Sequence, residues 1–167
     1  MAAKALVAVE QYLQMSFEGP DCEFVDGEIV ERNAGENPHS KAQLRLILLL
    51  SGLAAWSPLH IRPELRLRLA PERYRIPDIA VFAGEEPAED VPSTPPLVTI
   101  EIVSRDDRYT EIIQKLEEYR QWGVVHVWLA DPWLRTLYVF SSSGLAEVAA
   151  FELAEFGGGI PCSEVFA

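Results

Sequence analysis

Residues 64–69 read Glu-Leu-Arg-Leu-Arg-Leu, a strict alternation that predicts a half-buried strand with leucines to the core and charges outward. Residues 97–103 are nearly all apolar and predict a central strand covered on both faces. Residues 124–130 predict a second buried strand, turned by Asp131-Pro132. Apolar positions at helical spacing predict helices over residues 5–15, 39–56 and 108–122. In the second helix Leu44, Ile47, Leu48, Leu50 and Leu53 cover so much of the surface that it is expected to be largely buried, with Ser57-Pro58 as its stop. Asp106 or Asp107 is expected to cap the third, and Gly123 to close it.

Turn formers supply the punctuation. Gly19-Pro20 ends the first helix, and Asp26-Gly27 within residues 22–32 predicts a tight hairpin. Residues 33–38 form a polar loop, and 71–73 turn into a strand over 75–82. Pro87, Pro92, Pro95 and Pro96 mark residues 84–96 as an exposed loop. Residues 134–140 and 145–153 predict a terminal hairpin around 141–144, and 161–166 one last helical turn. This order predicts a mixed α/β (α+β) fold, a central mixed β-sheet flanked by helices, in a single domain over residues 1–167.

Composition fits that picture. At 49% apolar and 24% charged residues, the chain is expected to fold around a real core. The longest apolar run, residues 46–50, is too short to cross a bilayer, so no membrane association is expected. The N-terminus lacks the pattern of a secretory signal, and Cys22 and Cys162 stand far apart with no partner motif. A cytoplasmic protein with reduced thiols is expected.

Charge complicates the choice of partner. A net charge of −12 opposes non-specific nucleic-acid binding, which depends on Lys and Arg displacing counterions from phosphates. Arg62, Arg66, Arg68, Arg73 and Arg75 do cluster just before Asp78. A solvated strand face accounts for that cluster equally well.

The candidate chemistry lies in two apolar stretches that each hold one carboxylate, Asp78 and Glu101. A carboxylate among apolar neighbours is costly unless something compensates its charge. Mg²⁺ suits the task, because it prefers carboxylate and carbonyl oxygens, and the carbonyl of Ile102 offers a further ligand. On a helical wheel Ile112, Tyr119 and Trp122 lie within about 60° of Lys115, which puts the lysine on the buried side of its helix. There it can orient an attacking water or balance developing negative charge; alternatively it snorkels to solvent. His39 can line the site or help cap its helix, and Glu64 can be a third acidic ligand or a solvated strand end. His60 and His126 show no metal spacing, and Ser104 and the serines at 141–143 show no triad pattern. Trp122, Trp128 and Trp133 read as core or interface aromatics.

Pro77-Asp78 followed by Glu101-Ile102-Val103 resembles the split signature of the PD-(D/E)xK nuclease superfamily. More closely, the chain resembles the Uma family, to which restriction-endonuclease activity is ascribed. The matching text runs through residues 25–32, Pro38-His39-Ser40, residues 75–78, residues 100–104, residues 115–119, Gly123-Val124 and residues 127–132. The resemblance implies a restriction-endonuclease-like fold with Asp78 and Glu101 as metal ligands. One position departs: the superfamily's lysine two residues after the glutamate is Val103, and Lys115 matches the helix lysine that replaces it in this family.

The expected function is therefore a Mg²⁺- or Mn²⁺-dependent DNA endonuclease that hydrolyses phosphodiester bonds through metal-activated water. The alternative is a catalytically degenerate nuclease-fold protein acting as a binding or regulatory module. A metal hydrolase acting on something other than DNA is a third reading, which suits the charge but has no motif of its own. Apolar and aromatic residues in the last strands are compatible with a homodimer.

Overall fold

The computed structural model describes residues 6–55 and 58–167. Its elements, in chain order, are α1 (Val9–Gln14), β1 (Glu23–Val25), β2 (Glu28–Val30), α2 (Asn37–Ala54), β3 (Leu59–Pro63), β4 (Leu67–Ala70), β5 (Arg73–Arg75) and β6 (Ile79–Ala83). Then come β7 (Val98–Ile102), α3 (Tyr109–Trp122), β8 (His126–Asp131), β9 (Thr136–Ser141), β10 (Gly144–Val148), β11 (Ala150–Leu153), β12 (Gly158–Pro161) and α4 (Cys162–Val165).

The central sheet has the order β10-β9-β8-β7-β6-β3. Only β7 and β8 run parallel, joined by α3 as the crossover. The rest is antiparallel, which makes the sheet mixed as expected. Ile79, Val81, Val98, Ile100, Ile102 and Trp128 face one side and pack against Ala42, Leu46 and Leu50 of α2. Val127, Leu129 and Phe140 face the other side and pack against Leu116 and Tyr119 of α3. The period-2 alternation of the strands thus feeds two helix layers. Trp128 stacks on Phe151 in the first layer, ring centroids 4.3 Å apart and nearly parallel. A second sheet, β2-β1-β5-β4, closes over Tyr12, Phe24 and Tyr74.

Several expectations need correction. The alternating run at 64–69 is a strand only from Leu67, because Glu64 adopts a left-handed backbone (φ 49°) that breaks the extension. The preceding strand, β3, alternates over Leu59-His60-Ile61-Arg62 but is short and was not among the expected strands; it ends in Pro63 on the sheet edge, where a missing N–H is tolerated. Residues 145–153 divide between β10 and β11 in different sheets, and β11 finds its partner in β12. Helix α2 is not largely buried: Leu44 and Leu48 are each 57% exposed, and burial falls on His39, Ala42, Leu46 and Leu50. Its expected stop at Ser57 lies outside the described residues. No side-chain cap holds the start of α3, since Asp107 accepts instead from the Ser104 amide and from Asn33 Nδ2.

The hairpin at Asp26-Gly27 forms with both turn residues at positive φ, as a tight two-residue turn requires. Gly123 closes α3 at φ 112°. The chain passes from the second sheet to the central one through Ile76-Pro77-Asp78, between β5 and β6. That crossing sets the site.

Candidate functional site

Ile79 of β6 pairs with Ile100 of β7, so one step further along Asp78 stands opposite Glu101. Alternation then directs both carboxylates away from the face of Ile79 and Ile100. Asp78 lies in the bend just before β6, not in a strand, and is only 5% exposed. Pro77 supplies no N–H to a ladder, which frees the chain to bend there.

Asp78 is held from several directions. Its Oδ2 accepts the Ile102 amide at 2.7 Å and faces His39 Nε2 at 3.4 Å, while Oδ1 accepts from Arg32 Nη2 at 3.2 Å. Gln43, one turn beyond His39 on α2, donates to the Asp78 carbonyl at 3.0 Å. Burial pushes the Asp78 carboxyl up, but the hydrogen bond and charge of His39, with Lys115 and the Ile102 amide, outweigh it and hold the group below the usual carboxylate range. Burial likewise pulls His39 down, and Asp78 more than offsets that pull.

Glu101 is held from α3. Lys115 Nζ donates to Oε2 at 2.9 Å, and the Tyr119 hydroxyl, one turn along, donates to Oε1 at 2.9 Å. Burial is the main reason its carboxyl is pushed up to about 7; Asp78 and Glu23 add to that and Lys115 opposes it. Lys115 does not snorkel. Its side chain is 13% exposed and its ammonium turns inward, 2.7 Å from Glu23 Oε1 and 3.1 Å from the Ile76 carbonyl.

The structure brings Asp78, Glu101, Ile102, Lys115 and His39 together around a cavity of about 450 Å³. The contact made by Ile102 is through its amide. His39 faces Asp78 instead of capping α2. Glu64 is exposed; its carboxylate reaches Arg32 at 3.6 Å and Gln43 at 3.5 Å, and its amide donates to the Asp78 carbonyl at 3.2 Å. His60 contacts the Gly84 carbonyl and His126 contacts Glu155, both away from the site.

Sequence reasoning missed Glu23, Arg32, Gln43 and Tyr119. Tyr119 was visible as a member of the Lys115 arc, but there only as an apolar one. The signal for Glu23 was a carboxylate in a short apolar strand, Glu-Phe-Val, the same signal that singled out Asp78 and Glu101. Four of the five clustered arginines are held in ion pairs, and Arg68 is exposed on β4. Arg62 pairs with Glu86, Arg66 with Asp21, Arg73 with Asp26, and Arg75 with both Glu23 and Glu118. The cavity itself is lined by Glu23, Asp26, Glu28, Glu31, Asp78, Glu101, Asp107 and Glu111, against Arg32, Arg75, Arg108 and Lys115.

The donor set suits a hard divalent cation: the carboxylates Asp78 and Glu101 line the cavity, and no cysteine does. Among the described residues no group of three or more His, Cys, Asp and Glu is placed to hold a metal ion. Mg²⁺ is commonly held by one or two carboxylates and completes its shell with water and substrate phosphate. Each carboxylate oxygen accepts one or two bonds here and has two lone pairs. Burial, helped by Asp78 and Glu23, makes the ionised form of Glu101 costly, and a bound cation would offset that cost.

Residues 9–166 match the model of the family described as "Uma2: Putative restriction endonuclease". Among solved structures, the fold is similar to that of a protein from Anabaena variabilis ATCC 29413 described as "a putative nuclease belonging to DUF820". The TM-score is 0.83 and the identity 20%, over 96% of this chain and 97% of that one. No curated protein matches the chain. Among the described residues no helix is long and apolar enough to cross a membrane.

Proposed function

Because the chain belongs to the Uma2 family, which is described as restriction endonuclease, we propose that it is a divalent-metal-dependent DNA endonuclease centred on Asp78 and Glu101. The observation that carries this reading is that Asp78 and Glu101 line one cavity, with the Lys115 ammonium 2.9 Å from Glu101. Asp78 and Glu101 would hold Mg²⁺ or Mn²⁺, with the Ile102 carbonyl as a further ligand. When bound, the metal would supply activation of water and charge neutralisation at the phosphodiester.

The chain's own residues have distinct tasks in this proposal. Asp78, kept ionised by His39 and Lys115, is a ready anionic ligand at neutral pH. Glu101 becomes one on losing its proton near pH 7. Lys115 keeps its charge, because Glu101 and Glu23 offset the effect of burial on it, and it stands as a fixed cation against negative charge developing on the substrate. His39 orients Asp78 from the first turn of α2. Residues 1–167 act as one domain.

The acidic lining of the cavity favours a second reading, in which the protein keeps the nuclease fold but binds or regulates without cutting DNA. Incubating supercoiled plasmid and single-stranded DNA with the protein and Mg²⁺ or Mn²⁺ separates the two. Cleavage that stops on adding chelator is the outcome the endonuclease reading requires.

A further inference from the structure

We propose that Glu23 is the positioning residue of this centre, fixing the Lys115 ammonium beside Glu101 without touching substrate itself. The inference rests on the endonuclease reading for its catalytic consequence. The geometry from which it is drawn stands apart from that reading.

Glu23 lies in β1, in the hairpin sheet, and is 3% exposed. Both of its oxygens are committed. Oε1 accepts the Ile76 amide at 2.8 Å and faces Lys115 Nζ at 2.7 Å, and Oε2 accepts from Arg75 Nη1 at 2.8 Å. Arg75 is itself pinned by both oxygens of Glu118, at 2.7 and 3.0 Å. The carboxylate is therefore anchored by two donors that do not depend on the lysine. A buried carboxylate with fixed donors is a rigid acceptor, whereas a lysine stem has four flexible carbons.

Lys115 needs such a partner because of where it comes from. A lysine two residues beyond Glu101 would be aimed by the strand that carries the glutamate, but that position is Val103. Lys115 instead reaches across from α3, and its three N–H bonds meet Glu23 Oε1, Glu101 Oε2 and the Ile76 carbonyl at 2.7, 2.9 and 3.1 Å. Two of those three acceptors lie outside the central sheet. Glu118, three residues along the same helix, closes the circuit Glu118–Arg75–Glu23–Lys115, so the N-terminal hairpin and β5 grip the face of α3 that points at the site. Without Glu23 the ammonium would have Glu101 as its sole carboxylate and would collapse onto the proposed metal ligand.

Glu23→Gln tests this directly, since it keeps an acceptor for the Ile76 amide and removes the charge. Two measurements on the full chain are needed. The first is the ¹⁵N-detected ammonium signal of Lys115, assigned by its absence in Lys115→Arg. A slowly exchanging signal is expected in the wild type, lost in Glu23→Gln and retained in Glu23→Asp. The second is DNA cleavage in a double-mutant cycle with Lys115→Met. Glu23→Gln should lower kcat about tenfold or more with KM within about twofold, and should cost nothing further once Lys115 is gone. An unchanged ammonium signal in Glu23→Gln, or losses that add in the double variant, would overturn the assignment. If Glu23→Gln does not fold, the wild-type signal and the Glu23→Asp variant decide: absence of a slowly exchanging signal from the wild type counts against it. A wild type that cuts no DNA defeats the endonuclease reading and leaves the ammonium measurement to judge Glu23 alone.

Discussion

The Lys115 ammonium meets Glu101 at 2.9 Å from a helix, where the related signature would place it on the strand of the glutamate itself. One cation is thereby shared between the buried Glu23 and the partly buried Glu101, and the charge balance of the site depends on that sharing.

Replacing Lys115 by Met should leave both carboxylates without their common cation. Removing one partner of a buried ion pair costs about 3–5 kcal/mol. Urea denaturation at pH 8 should show a loss of that order, and a smaller one at pH 5.5, where Glu101 holds a proton and only Glu23 is left exposed to the deficit. An equal loss at both pH values would mean that Glu101 is ionised throughout.

Tyr119→Phe removes one hydroxyl and nothing else from a fully buried site. The Glu101 oxygen it leaves behind loses a 2.9 Å donor. A stability loss of about 1–3 kcal/mol is expected, as for a hydrogen bond to a charged group. Cleavage should fall less than in the Lys115 variant, because the hydroxyl carries no charge. Calorimetric unfolding and an initial-rate assay check both parts.

Glu101 fixes the pH dependence. Its pKa is raised to about 7 in the folded protein, so between roughly pH 4.5 and 7 the native state keeps a proton that the unfolded chain releases. That contribution is present at low pH and is lost as pH rises through 7. Asp78 and Glu23 act in the opposite sense: their lowered values stabilise the fold above the ordinary carboxylate range, and that stabilisation is lost as pH falls through them. Glu101→Gln should therefore gain on the wild type as pH climbs from 5 to 8, by up to about 3 kcal/mol. A divalent ion must displace the same proton, so Mn²⁺ affinity should rise with pH and level off above 7. Titration calorimetry in two buffers reads the released proton.

Salt dependence should be shallow. Arg62, Arg66, Arg73 and Arg75 are already paired with carboxylates, which leaves few cations for phosphate. The slope of log K against log salt for duplex DNA should stay above about −4, where a protein making six to ten phosphate contacts gives about −5 to −9. Fluorescence anisotropy across a salt series measures it.

The mixed sheet and helix α3 were legible because β7 and β8 are continuous apolar runs and α3 carries a helical period closed by Gly123. Strand β3 was not, since its sequence Leu-His-Ile-Arg-Pro is short and ends in proline. The exposure of Leu44 and Leu48 was hidden because a leucine-rich helix reads as buried on every side until its packing partners are known. At the site, Asp78, Glu101 and Lys115 could be named from the residues. Glu23 could not be joined to them, because its place depends on a second sheet folding over α3, and no local pattern encodes that contact. The arginine cluster was left open in the sequence for a related reason: adjacent positions are divided among separate ion pairs by the turn between β4 and β5.

Plasmid cleavage by the wild type and Asp78→Asn side by side, with Mg²⁺ and with chelator, bears most directly on the metal-dependent endonuclease. Asparagine keeps the shape of Asp78 and can still accept from the Ile102 amide, so far-ultraviolet circular dichroism should report a folded variant. The wild type should cut with metal and stop with chelator, and the variant should lose at least about a hundredfold in rate. Cleavage at the wild-type rate by a folded Asp78→Asn protein, or a wild type that leaves the plasmid intact with every divalent ion tried, would contradict it.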